Sequence, residues 1–180
     1  MIERFTGRCR RLGVAVKRAT AASVPETVVE TLRLAGARSA LVADDLGAER
    51  DALVRALSEA GITPIDGATA DDAEPAEAGV SRARFAVAET GSLAVVGDEL
   101  QPRLATMLPP VHVALVDLGR LYGTLDEAAA ELERLMRPGR GGVRYVTLVT
   151  GPSRTADVEK TLAVGVHGPR AVHVVLVGPE

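Results

Sequence analysis

Apolar residues recur along the chain in two alternating rhythms. Short continuous runs, Ser39 to Ala43, Ile62 to Ile65, Val111 to Asp117, Val143 to Thr150 and Val172 to Val177, read as buried strands. Val14 to Arg18 alternates apolar and polar residues, and Arg84 to Ala88 and Leu93 to Val96 read as two strands joined by Glu89-Thr90-Gly91-Ser92. Between these lie helical spacings. Residues 2–12 form one such segment. Val28, Val29, Leu32 and Ala35 mark a second, opened by a Ser23-Val24-Pro25-Glu26 capping box and stopped at Gly36. Ala52, Leu53, Ala56 and Leu57 put a third over about 48–60. Thr124-Leu125-Asp126-Glu127 opens a fourth, with Leu125, Ala128, Ala129, Leu132, Leu135 and Met136 inward and Pro138-Gly139 at its end.

Apolar strands alternating with amphipathic helices predict an α/β fold, a three-layer α/β/α sandwich built on a mainly parallel sheet. The chain reads as a single domain over 1–180. Residues 65–80, acidic and rich in Ala, Pro and Gly with no basic side chain, read as a solvated loop. Ligands in such sheets bind beyond the carboxyl ends of the strands, so the loops after Ala88, Asp117 and Thr150 are the expected functional positions.

Composition narrows the chemistry. The chain has 180 residues, a net charge of −3, no Trp, two Phe and two Tyr. Neither a basic field nor a stacking platform for nucleic acid is available. Cys9 is the single cysteine, so the chain can neither close a disulfide nor hold an iron–sulfur cluster by itself. No apolar run approaches the ~20 residues of a membrane span, and the basic N-terminus has no apolar stretch behind it, so the expectation is a cytoplasmic protein.

Three loops carry candidate chemistry. Gly151-Pro152-Ser153-Arg154-Thr155-Ala156-Asp157 reads as a turn into a helix start, where free amides, two hydroxyls and the Arg154 fork suit phosphate or carboxylate. Glu89, with Thr90 and Gly91, offers a carboxylate at a sharp strand end, a candidate catalytic group. His167, between Gly165 and Gly168, lies close to the backbone in a tight turn. Each loop also has a structural reading: a plain turn capped by its own side chains. His112 and His173 sit among valines in strands and read as hydrogen-bonded sheet histidines, and no spacing suggests a metal site. Ser153, Asp157 and His167 do not form a hydrolase elbow, and no phosphate-binding P-loop or Gly-x-Gly-x-x-Gly occurs.

Taken together, Ala88-Glu89-Thr90-Gly91-Ser92, Leu108-Pro109-Pro110-Val111-His112, Gly151 to Glu159 and Gly165-Val166-His167-Gly168-Pro169 resemble the LUD-domain family, and within it the lactate-utilisation protein C group. The resemblance is strongest from about Phe85 onward, and the chain looks short at its N-terminus for that family. It implies a NagB/RpiA/CoA-transferase-like fold. It also implies a part in oxidising L-lactate to pyruvate beside two partner proteins that carry the iron–sulfur clusters. This chain is then a non-redox subunit without a cofactor of its own. The reading of the loops adds the expected ligand, a small carboxylate or phosphate held by Thr90, Gly91, Gly151, Ser153, Arg154, Thr155, His167 and Gly168. Two other readings stay open: a stand-alone enzyme like the related CoA-transferases or formyltetrahydrofolate cyclo-ligases, with Glu89 reactive, and a ligand-sensing or scaffold module without chemistry.

Overall fold

A computed structural model describes residues 1–137, 139, 142–152, 154–156, 162–164 and 168–179. In chain order, the first half runs α1 (Ile2–Arg11), β1 (Ala15–Ala19), α2 (Val24–Leu34), β2 (Ser39–Val42), α3 (Glu49–Glu59), β3 (Thr63–Ile65), α4 (Ala70–Ala73) and β4 (Ala78–Arg82). The second half runs β5 (Phe85–Val87), β6 (Ser92–Val96), α5 (Leu100–Met107), β7 (Val111–Asp117), β8 (Leu121–Tyr122), α6 (Leu125–Met136), β9 (Val146–Val149), β10 (Arg154–Ala156), β11 (Leu162–Val164) and β12 (Ala171–Val177).

Six parallel strands form the main sheet in the order β1-β12-β7-β4-β2-β3. Their side chains alternate between faces, so each inner strand must be apolar on both, which explains the continuous runs of valine and leucine. On one face Val42, Val80, Val113, Leu115 and Val175 pack against Val28 and Leu32 of α2 and Leu53 and Leu57 of α3. On the other face Ala114, Val116, Val174 and Leu176 meet Phe5 and Cys9 of α1. Helices therefore cover both sides, as the sequence pattern predicts.

The second face also carries a layer that the pattern does not predict. A four-stranded sheet, in the order β8-β5-β6-β9, stacks on the first through Ala86, Leu93 and Val95. Its outer face holds Phe85, Val87 and Ala94 against Ala128 and Leu135 of α6. Phe85 and Tyr122 meet edge to face there, with ring centroids 5.6 Å apart. α6 buries a narrower stripe than its spacing suggests, since Leu125 and Met136 are exposed.

Other expectations change too. Ser23 stands at the N-cap of α2, but its side chain caps no amide of that helix and forms no box with Glu26. A 3-10 turn precedes the helix with Thr20 as its cap, and the Thr20 and Ser23 side chains each accept from the other's backbone amide, at 3.3 and 2.9 Å. Ser23 is already in the helical region and its hydroxyl points back. The acidic stretch 65–80, expected as a loop, holds α4 and the first residues of β4, a central strand. Thr69 caps α4 in a box with Asp72, so part of the acidity serves the helix start.

β4 is hard to read because Gly79 interrupts it. The backbone of α5 lies directly on that glycine, and a Cβ there would sit 1.9 Å from the Ala105 carbonyl oxygen. No side chain can give way, so the helix itself would have to shift. Gly79→Ala is therefore expected to cost about 3 kcal/mol, the upper range for overpacking, and to lower Tm by roughly 10 °C in a chain of this size. Gly119→Ala, with nothing within 4 Å, is the control and should leave Tm nearly unchanged.

Candidate functional site

The topology singles out one edge. From β2 the chain steps outward through α3 to β3, then returns through α4 to β4 on the other side of β2. Its direction of travel across the sheet reverses between β2 and β4. The crevice beyond the carboxyl ends of two such strands is where open α/β sheets bind ligands. Here β2 delivers Asp44 and Asp45, and β4 delivers Arg82 and then Arg84.

Arg82 organises the crevice. Its guanidinium donates to Glu49 Oε2 at 2.7 Å and to Asp117 Oδ1, joining β4 to α3 and to the end of β7. Its backbone N–H is shared by both Asp45 carboxylate oxygens, at 3.2 and 3.1 Å. The Asp45 carboxyl is pushed up to about 6 because burial disfavours its charge, only partly offset by that amide and by Arg84 and Arg82. Asp45 and Arg84 line a cavity of about 240 Å³ with Asp98, Glu99, Pro102 and Gly142. The side chain of Arg84 makes no hydrogen bond or ion pair among the described residues.

The loops expected to carry chemistry lie elsewhere. Gly151 and Gly168 line one cleft of about 310 Å³, but it opens at the amino ends of the main strands, because Gly168 leads into β12 and Gly151 packs on Leu12 and Val14 ahead of β1. The segment after Gly151 is not a helix start. Arg154–Ala156 pairs antiparallel with Leu162–Val164 as a hairpin, so these residues bring no helix amino end to the cleft. Only the backbone of Arg154 and Thr155 is described, and Ser153 and His167 lie outside the described residues. Arg103, Thr106, Thr147 and Thr150 share the cleft with the two glycines. Arg103, which no sequence motif flags, supplies a cation there.

Glu89 lines a third, separate cavity with Arg4, Arg8 and Arg11 of α1. Its Oε2 accepts the Leu125 amide at 3.3 Å, at the start of α6, and its Oε1 lies 3.7 Å from Arg4. Thr90 accepts the Ser92 amide at 3.3 Å, and Gly91 turns at φ +73, where a Cβ would press on the Leu12 and Arg8 side chains at 3.0 and 3.1 Å. These contacts match the turn-and-cap reading of the loop. The turn does touch the 151 region, since the Ser92 and Thr150 hydroxyls are 2.6 Å apart.

His112 is fully buried, bonded to Ser81 at 2.9 Å, with Nδ1 unpartnered among the described residues. Burial drives its pKa down to about 4, with the charge of His173 adding to the shift. No group of His, Cys, Asp and Glu among the described residues could hold a metal, and no described helix is long and apolar enough to cross a membrane.

Asp45 and His112 pull stability in opposite directions over nearly the same pH range. Asp45 titrates near 6 folded against 3.8 unfolded, so its contribution is favourable at low pH and is lost as pH rises from about 4 to 6. His112 titrates near 4 folded against 6.5 unfolded, so stability is lost as pH falls from 6.5 to 4. Each effect is worth up to about 3 kcal/mol, and together they flatten the profile. Asp45→Asn is expected to gain about 1–3 kcal/mol at pH 8 and to match the parent near pH 4. Denaturant melts across that range check this, and a profile parallel to the parent's would contradict it.

Comparison with known proteins agrees with the fold. The family model described as LUD domain matches residues 2–177. An uncharacterized protein of Neisseria meningitidis serogroup B is 38% identical over 58% of this chain and 43% of its own length. Lactate utilization protein C of Macrococcus caseolyticus is 31% identical over 58% of this chain and 46% of its own. Lactate utilization protein C of Geobacillus sp. (strain WCH70) is 27% identical over 98% of this chain and 78% of that protein. The matched stretch thus spans less than half of the first two relatives. A crystal structure of a DUF162 family protein from Deinococcus radiodurans superposes with a TM-score of 0.67 over 98% of this chain and 96% of that one, at 22% identity. With the family model covering nearly its whole length, the chain belongs to the LUD-domain family.

Proposed function

We propose that this protein serves L-lactate utilisation as a subunit that carries no redox centre and binds a small carboxylate or phosphate anion. The names of its relatives support the process. The observation that supports the ligand class is the amino-edge cleft. Arg103 faces it without an ion pair among the described residues, beside the Thr106, Thr147 and Thr150 hydroxyls and the backbone of Gly151 and Gly168. Val95, Met107 and Leu148 supply an apolar wall for a short carbon chain. A guanidinium fork with hydroxyls and open backbone suits a planar carboxylate or a phosphate. Arg154, which starts the hairpin that follows Gly151, is the second cation proposed for this ligand. With Ser153, Thr155 and His167, it belongs to the same proposed anion loop.

The redox work falls to iron–sulfur partner proteins in this reading. Cys9 is a free, buried thiol whose pKa burial pushes up to about 11, which keeps it neutral and a poor metal ligand. Glu89 has less support as a reactive carboxylate, because it holds the start of α6 and pairs with Arg4. The stand-alone enzyme is therefore the weaker alternative.

Titration of the purified chain with L-lactate, pyruvate and phosphate tests the proposal. At least one should bind saturably, and Arg103→Ala and Arg154→Ala should each weaken it about ten- to a hundredfold, the worth of a charge-assisted bond. Arg103→Lys should recover only part of the affinity. Tm should move little in Arg103→Ala, because its exposed side chain ties nothing structural. Undiminished binding in both alanine variants would remove the anion site.

A further inference from the structure

Unlike the described lining of the amino-edge cleft, the crevice at the topological reversal sets a cation and a partly buried carboxyl against the same small cavity. We propose that this crevice is a second binding site, for a small carboxylate bearing an adjacent hydroxyl or ammonium group, with Arg84 holding the carboxylate and Asp45 accepting from the neighbouring donor. The site shares no residue with the amino-edge cleft, and its ligand class, which includes 2-hydroxy acids, is argued from its own charges and not from the lactate-utilisation reading.

Charge selects the ligand class. Arg84 is the one cation lining the cavity among the described residues, and it faces Asp45, Asp98 and Glu99. A bare anion would meet three carboxyls, and a bare cation would meet Arg84 on its way to them. A ligand with a negative head and a donor beside it satisfies both sides. The volume of about 240 Å³ is below the usual range of drug-sized pockets, so the ligand is small.

Hydrogen-bond bookkeeping points the same way. The Arg82 guanidinium is committed to Glu49 and Asp117, so Asp45 receives a hydrogen bond only from its backbone N–H, and the charges of Arg84 and Arg82 offset the effect of burial only in part. A carboxylate has about four acceptor positions, which leaves Asp45 free capacity toward the cavity. Asp98 is already used, since it accepts the Arg144 and Tyr145 amides at 2.8–3.0 Å and so closes the wall. The charged groups around Asp45 are Asp44 beside it, Glu49 and Arg50 on α3, Arg82 at the end of β4 and Arg84 after it, and Asp98 and Glu99 ahead of α5. Burial leaves the Asp45 carboxyl titrating near 6. The carboxylate that accepts from the ligand therefore forms above that pH.

Calorimetric or NMR titration of the whole chain with acetate, glycolate and glycine, at pH 8 and pH 5, tests the site. Acetate lacks the donor, glycolate supplies a hydroxyl and glycine an ammonium, so the preferred probe also identifies the donor. At pH 8 glycolate or glycine should bind about tenfold tighter than acetate, the gain of one charge-assisted bond. At pH 5 that preference should shrink, and acetate should bind better than at pH 8 because Asp45 no longer repels it. With the amino-edge cleft silenced by running the titrations in the Arg103→Ala background, Arg84→Ala should weaken all three about tenfold or more, and Asp45→Asn should erase the preference and its pH dependence. Should Asp45→Asn fail to fold, Arg84→Ala and the pH series decide alone. Equal affinity for the three probes at pH 8, unchanged binding in Arg84→Ala, or no saturable binding at tens of millimolar would each overturn the proposal.

Discussion

The ion-pair network of Arg82 holds the carboxyl edge of this sheet in its shape. Parallel strands end with unpaired polar backbone and converging loops, and something must hold those loops in register. Arg82, only 16% exposed at its side chain, bonds to Glu49 on α3 and Asp117 after β7, while its amide holds Asp45 after β2. Three connections from separate parts of the chain thus meet on one residue of the central strand. Arginine suits the position because its planar fork can serve two carboxylates at once, which an ammonium does less well. With that guanidinium occupied, Asp45 keeps its raised pKa and Arg84 remains available to the crevice.

A close approach on the other face complements this tie. Gly79 lets α5 lie against β4 at backbone distance, which brings Asp98 and Glu99, just ahead of α5, to the wall of the same crevice. The glycine and the arginine sit in one five-residue strand, so β4 positions both sides of the cavity.

Much of the architecture is legible in the chain, because parallel strands advertise themselves as unbroken valine and leucine runs and α2, α3 and α6 carry clear apolar spacings. β4 is not. Ala78-Gly79-Val80-Ser81-Arg82 contains one bulky aliphatic residue, and its core role depends on a helix backbone that no local pattern encodes. Ser23 is misread because its capping box with Glu26 competes with an equally good partner, Thr20, three residues earlier. Gly151-Pro152 reads as a helix start, yet the following residues pair with the next strand as a hairpin, a pairing that overrides the turn signal. Family motifs direct attention to Gly151 and Gly168, whereas Asp45, Arg82, Arg84 and Arg103 belong to no motif. Asp45 follows an apolar strand and could be found by that position alone. Arg82 and Arg84 become visible only once β4 is recognised as a strand with a carboxyl end.

Membership in the LUD-domain family accounts for the fold, and the carboxyl-edge crevice is the proposed second binding site. Both the crevice and the raised Asp45 carboxyl depend on Arg82 being a true structural tie rather than a solvated surface pair. A double-mutant cycle between Arg82 and Glu49, read by denaturant unfolding at pH 7, measures this directly. The account predicts a coupling of about 1.5 kcal/mol or more, as for a hydrogen bond to a charged group withdrawn from solvent. The same cycle on the exposed Arg137–Glu133 pair should give only about 0.3–0.5 kcal/mol. A coupling for Arg82 and Glu49 no larger than that of the exposed pair would contradict the account.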